Sequence, residues 1–253
     1  MRRLLTALFI FWACVALAEE QAILGLSTSS VEITTDFTGS ELLIFGAVAR
    51  ETQKPQGDLG VVITVTGPTT PVTVWRKARK WGIWVNHEYV EIDRAPQFYA
   101  IATSAPFEEI MSDTQDLRHK VSIERAIRSV GAPDNIKDSF EFTQALIDAR
   151  ARNALYALAQ NTVDVQGDTL FQTMIQMPTT ISEGPYNVRV YLTRDREVVG
   201  QANSVIDVKK VGFEEWLYAF AQRFPLLYGI FAVAVAVLVG WMAHGLTTVL
   251  RRS

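Results

Sequence analysis

Residues Val74-Trp75-Arg76-Lys77-Ala78-Arg79-Lys80-Trp81-Gly82-Ile83-Trp84-Val85-Asn86 form the densest chemical anomaly in the chain. Four cations, Arg76, Lys77, Arg79 and Lys80, are interleaved with three indoles, Trp75, Trp81 and Trp84. Guanidinium groups present planar donor forks to anions, and indole faces attract cations and apolar matter. One reading is a site for a small anion or an acidic partner. A second is contact with anionic lipid headgroups. A third is a plain hairpin with a charged tip and its Trp residues packed into the fold. Residue types alone leave the three open.

Other chemistry finds little support. The histidines are His87, His119 and His244. Glu88, Glu91 and Asp93 follow His87, but a transition-metal site ordinarily takes two or more nitrogen or sulfur ligands, so no metal is expected. His119 sits in a charged stretch, Leu117-Arg118-His119-Lys120, and is expected on the surface. There is no G-x-S-x-G, H-E-x-x-H, P-loop or dinucleotide fingerprint. The pairs Glu108-Glu109 and Glu214-Glu215 are adjacent, so on a helix they point apart. The expectation is a protein that is not an enzyme and carries no cofactor. With a net charge of −3 and no other basic block, nucleic acid is not an expected partner. The single cysteine, Cys14, lies in an apolar run at the start, so no disulfide is expected to staple the fold.

The two ends say where this segment is held. Arg2 and Arg3 precede an apolar stretch from Leu4 to Leu17, and Ala16-Leu17-Ala18 is a small-x-small cleavage site before Glu19. These are the parts of a secretory signal peptide over residues 1–18. An uncleaved anchor is the alternative, and Phe11-Trp12-Ala13 is too bulky for Cys14 to be a lipidation site. At the other end residues 226–248 include Leu226, Ile230, Phe231, Val235 and Val239 and no acid, Lys or Arg. About 20 apolar residues span a bilayer core, and such residues favour insertion by roughly 4 kcal/mol together. Arg251 and Arg252 mark a cytoplasmic tail, 249–253. Both signal-peptide readings leave the region between on the far side of the membrane. Phe213, Trp216, Leu217, Phe220 and Phe224 recur at helical spacing, which predicts an interfacial helix over 212–225 or a plain extension of the span. Within the span Ala232, Ala236 and Gly240 repeat every four residues, a stripe that suits homo-oligomer packing or arises by chance in an Ala-rich helix.

Between the ends the texture is mainly β. Short β-branched runs at Leu42–Val48, Leu59–Thr66, Val72–Trp75, Gly82–Val85 and Phe98–Thr103 alternate with turn residues. Residues at about 105–160 are rich in Ala, Arg, Glu and Leu, which predicts two or three helices broken at Gly131-Ala132-Pro133, with Ser139 capping the last. Tyr186-x-Val188-x-Val190-x-Leu192 alternates like a half-buried strand, and Arg194-Asp195-Arg196-Glu197 reads as a solvated hairpin tip. The expected fold for 19–211 is an immunoglobulin-like antiparallel β-sandwich with a helical insertion, plus one C-terminal transmembrane helix.

The signal peptide, the Thr73–Asn86 segment, the Gln97-Phe98-Tyr99-Ala100-Ile101-Ala102-Thr103-Ser104-Ala105-Pro106 stretch, the Gly184–Leu192 strand and the terminal span together resemble a family of functionally uncharacterised transmembrane proteins of alphaproteobacteria. That resemblance implies the bacterial inner membrane, a single pass and a periplasmic domain. It carries no catalytic residues. It implies relatives placed near anion exporters of the sulfite/taurine type. The expected role is therefore an accessory protein partnering the lipid bilayer and a membrane protein such as an anion exporter, or alternatively a small-anion sensor using Arg76, Lys77, Arg79 and Lys80.

Overall fold

The computed structural model describes residues 20–28, 30–33, 39–50, 55, 57–129, 138–210 and 213–250. The expected signal peptide, the Gly131–Pro133 break and the terminal Arg251 and Arg252 lie outside the described residues. The chain divides into two units, Met1–Val31 with Thr38–Val208, and Glu32–Phe37 with Lys209–Ser253.

The first unit is built on runs apolar enough to be buried on both faces. Strand β4 (Gly60–Thr66) is such a run, and it pairs with β7 (Tyr99–Thr103) and with β11 (Gly184–Arg194). The six-stranded sheet has the order β2-β12-β11-β4-β7-β8, with β2 at Ser30–Ile33, β8 at Tyr156–Ala159 and β12 at Glu197–Lys210. The β7–β8 pair is parallel, because the intervening chain crosses over as helices. A four-stranded sheet has the order β1-β3-β10-β9, where β1 is Gln21–Leu26, β3 Ser40–Ala49, β9 Asp164–Gln166 and β10 Leu170–Met177. Strand β10 alternates strictly, with Phe171, Thr173, Ile175 and Met177 buried and Leu170, Gln172, Met174 and Gln176 exposed. Leu42 and Ile44 of β3, and Ile63, Val65, Val188 and Val190 of the six-stranded sheet, are likewise fully buried.

The other face of the six-stranded sheet is covered by helices α1 (Phe107–Ile110), α2 (Asp113–His119), α3 (Ile123–Ala126) and α4 (Ser139–Arg152). Val62, Tyr99, Ile101 and Tyr191 from the sheet form one core with Met111, Val121, Leu146, Ile147 and Tyr156. The Tyr99 hydroxyl donates to the Val121 carbonyl at 2.8 Å, so its buried oxygen is satisfied. The cap of α4 is Asp138, not Ser139, which is the first helical residue. Tyr156 belongs to β8 rather than to a helix, because the chain leaves α4 at Asn153. The mainly-β class with a block of helices is what the sequence texture leads one to expect.

In the second unit α5 (Phe213–Arg223) leads to α6 (Pro225–Leu250). The Phe224 N–H donates to the Phe220 carbonyl and the Tyr228 N–H to the Phe224 carbonyl, both at 2.9 Å, so helical bonding runs through the junction at Pro225. A proline at the first helical position costs no ladder bond there. Among the described residues, α6 is the one helix long and apolar enough to cross a membrane, and none of its Pro225–Met242 stretch is buried.

Candidate functional site

The aromatic–basic segment folds as a long antiparallel hairpin. Strand β5 (Thr69–Lys80) and strand β6 (Ile83–Pro96) pair with each other and with neither sheet. The sequence reading of two short strands, at Val72–Trp75 and Gly82–Val85, is too short. Alternation of Thr, Val, Trp and Lys hides a ribbon that has little buried face beyond its base.

Two zones differ along that ribbon. At the base Val72 and Ile92 join the helix-side core, and Val90 and Val74 pack on Phe142 of α4. Arg76 closes this zone. Its guanidinium lies 4.5 Å from the Phe142 ring centroid and donates to Glu88 at 3.2 Å, Asp138 at 2.6 Å and Glu141 at 2.9 Å. The hydrogen bond with Asp138 is the main cause that raises the Arg76 pKa, and it holds the Asp138 carboxyl below the usual range. Arg76 is thus engaged by three carboxylates and pins the hairpin to the start of α4.

Beyond Arg76 the ribbon is exposed. Register pairs Lys77 with Asn86, Arg79 with Trp84 and Lys80 with Ile83. Cross-strand partners share a face. One face therefore carries Trp75, Tyr89, Lys77, Arg79 and Trp84, and Trp75 stacks on Tyr89 at a centroid distance of 4.8 Å. Trp81 and Gly82 make the turn, with φ of 53° and 83°. Positive φ at both central residues is the type I′ geometry that fits strand twist and that Asn-Gly or Asp-Gly favours. Trp81 occupies the first of these positions with its side chain fully exposed at 102%, beside Ile83 at 64% and Trp84 at 68%. The indoles are exposed rather than packed into the fold, contrary to the third sequence reading, and among the described residues nothing covers the distal ribbon. The Arg79 Nε donates to the Gly82 carbonyl at 3.4 Å, and Lys80 Nζ lies 3.4 Å from His87 Nδ1.

The hairpin residues Trp75, Arg76, Lys77, Arg79, Lys80, Trp81 and Trp84 are thus brought together, but on a convex ribbon. Clefts lie elsewhere. One of about 280 Å³ is lined by Asp58, Gly60, Glu109, Thr193 and Asp195, and one of about 540 Å³ by Asp58, Asn161, Thr162, Asp164 and Asp168. Among the described residues no group of three or more His, Cys, Asp or Glu is placed to hold a metal. Ala232, Ala236 and Gly240 lie along α6, all exposed.

Two other placements depart from the sequence reading. Arg194 is not at a solvated tip. It is 5% exposed and pairs with Glu20, which is 2% exposed, through bonds of 2.9 Å from Nε and 3.0 Å from Nη2. Arg50 Nε donates to the same carboxylate at 2.5 Å, and further bonds join Arg50 to the Asp168 carbonyl and Arg194 to the Gly57 carbonyl. Burial pushes the Glu20 carboxyl up, but Arg194 and Arg50 outweigh it and hold the carboxyl below its ordinary value. His119 is half-buried against the Tyr191 ring at 5.3 Å, and burial, with Arg118 and Arg189 nearby, lowers its pKa. No local pattern marks the Glu20–Arg194 pair, whose members stand 174 residues apart. The partners of Arg76 on α4, 62 and 65 residues away, leave none either.

None of the curated proteins matches this chain. Among solved structures it is similar to Spo0M, the sporulation control protein from Bacillus subtilis, at 9% identity and a TM-score of 0.26. That likeness covers 81% of this chain and 55% of that one, so the chain spans little more than half of that protein. The family model described as "Putative transmembrane protein (Alph_Pro_TM)" matches residues 21–250, nearly the whole chain, and the chain therefore belongs to that family of transmembrane proteins.

Proposed function

We propose that this protein is a membrane-anchored accessory protein whose folded domain stands on the periplasmic side of a bacterial inner membrane and makes contact through the β5–β6 hairpin. The observation that supports this reading is the split within the hairpin. Its base is tied down by Phe142 and by the carboxylates around Arg76, while Trp81, Ile83 and Trp84 are held in the open. Exposed Trp and Arg next to each other are the residue types that dominate contact surfaces. The α6 helix would fix the domain at the bilayer, and the export signal would set its side. A membrane protein such as an anion exporter is the neighbour that the family resemblance suggests. The immunoglobulin-like sandwich, and oligomer packing through Ala232, Ala236 and Gly240, belong to the same proposal.

A small-anion sensor is less well supported. Arg76 already serves three carboxylates, and Lys77, Arg79 and Lys80 are spread along a convex ribbon rather than converging in a cleft. The test is a photoreactive benzophenone side chain placed at Trp84 in living cells, with Gln172 on the four-stranded sheet as a control position. The proposal expects a discrete higher-mass protein adduct from position 84 that is lost when Trp75 and Trp81 are changed to Ser. No position-specific adduct would count against it.

A further inference from the structure

We propose that the tip of the β5–β6 hairpin enters the headgroup layer of an anionic bilayer, a step that rests on the hairpin being the contact element. Three observations point to lipid. First, the apolar residues occupy the extreme end of a convex ribbon. Trp81 in the two-residue turn and Ile83 and Trp84 just after it are exposed, with nothing packed on them among the described residues. An exposed indole wedge of this kind suits the yielding headgroup layer, where Trp is enriched. Second, charge lies beside and behind the wedge, with Lys80 level with Ile83, Arg79 level with Trp84 and Lys77 further back. Between Lys77 and His87 there is no acid, and Lys77, Arg79 and Lys80 supply a formal charge of +3. Lys77 stands four residues back from Trp81, about 13 Å at strand rise. The headgroup zone is about 6 Å deep on each side. With Trp81, Ile83 and Trp84 among the headgroups, Lys80 and Arg79, the cross-strand partners of Ile83 and Trp84, lie in the same layer and Lys77 stays within roughly one more Debye length. Indoles prefer that zone, and cations near an anionic leaflet are attracted to it. Third, Trp81 occupies the first positive-φ position of the type I′ turn, where Asn or Asp is the usual residue, so turn geometry does not account for an indole there.

The full chain is membrane-anchored, so the test uses it whole. A chain carrying Cys14→Ser and Ile83→Cys, labelled on the single introduced thiol with an environment-sensitive dye, is placed in nanodiscs holding nitroxide-headgroup lipid. The proposal expects strong quenching in phosphatidylglycerol discs. Changing Lys77, Arg79 and Lys80 to Gln should lower the docked-to-free ratio about a hundred-fold. Absence of quenching overturns the proposal. So does equal quenching in zwitterionic discs or in the triple variant. A protein adduct from position 84 in cells, without quenching in discs, removes the lipid inference and leaves the accessory reading intact. Loss of both signals removes both.

Discussion

Replacing Trp81 with asparagine should stabilise the domain while impairing the hairpin. Trp81 sits at φ 53° at the first central position of the turn, followed by Gly82 at φ 83°. A non-glycine L-residue loses about 1–2 kcal/mol in the left-handed region, and Asn relieves much of this through its local hydrogen bonding. The substitution removes no buried contact, since the indole is fully exposed. The expected gain is about 1 kcal/mol, or roughly 2–4 °C in Tm for a domain of this size. Thermal unfolding followed by far-UV circular dichroism on the detergent-purified chain is the assay. The same variant should show weaker contact at the tip, the stability–function opposition expected of a functional residue in a strained position. A fall in Tm would refute the reasoning, because it would mean that Trp81 packs on something and serves the fold.

Other expectations follow from the buried parts. Glu20→Met should cost about 3–5 kcal/mol by leaving Arg194 charged and unpaired inside the fold, measured by denaturant titration. The pH dependence has a definite sign. The Glu20 carboxyl is held below its ordinary value, so its contribution is present above about pH 4.3 and is lost as pH falls through the lowered folded value. Acid melts of the wild type should therefore lose stability there more steeply than those of the Glu20→Met variant. Phe142→Ala should cost about 3–5 kcal/mol and loosen the hairpin base, seen as faster amide exchange in β5 and β6 around Val74 and Val90. Val235→Asp should oppose insertion of α6 by about 3 kcal/mol and raise the soluble fraction of the chain after carbonate extraction.

The fold was legible in the sequence where one property decided it. Val61, Ile63 and Val65 lie in an apolar run because β4 is covered on both faces, and the run announces a buried strand. Strand β11 is legible through Tyr186, Val188 and Val190, which are buried with the more exposed Asn187 and Arg189 between them. The span is legible because every residue must meet lipid. The hairpin was legible only in composition. Its strand length was hidden because a free two-stranded ribbon needs no buried period. That Arg76 is structural while Lys77, Arg79 and Lys80 face outward follows from Asp138 and Glu141, and nothing at positions 74–86 reports a partner on a distant helix. Arg194 misled for the same reason. Flanked by Asp195, Arg196 and Glu197 it looks solvated, yet Glu20 reaches it across the whole domain.

Contact through the distal hairpin requires that it be covered in the cell and bare in isolation. Hydroxyl-radical footprinting of the full chain in native membranes and in detergent, read at Trp81 and Trp84 by mass spectrometry, tests this most directly. Oxidation of both indoles should be at least several-fold slower in membranes, with the exposed Met174 of β10 as an internal reference. Equal oxidation in the two settings would contradict it.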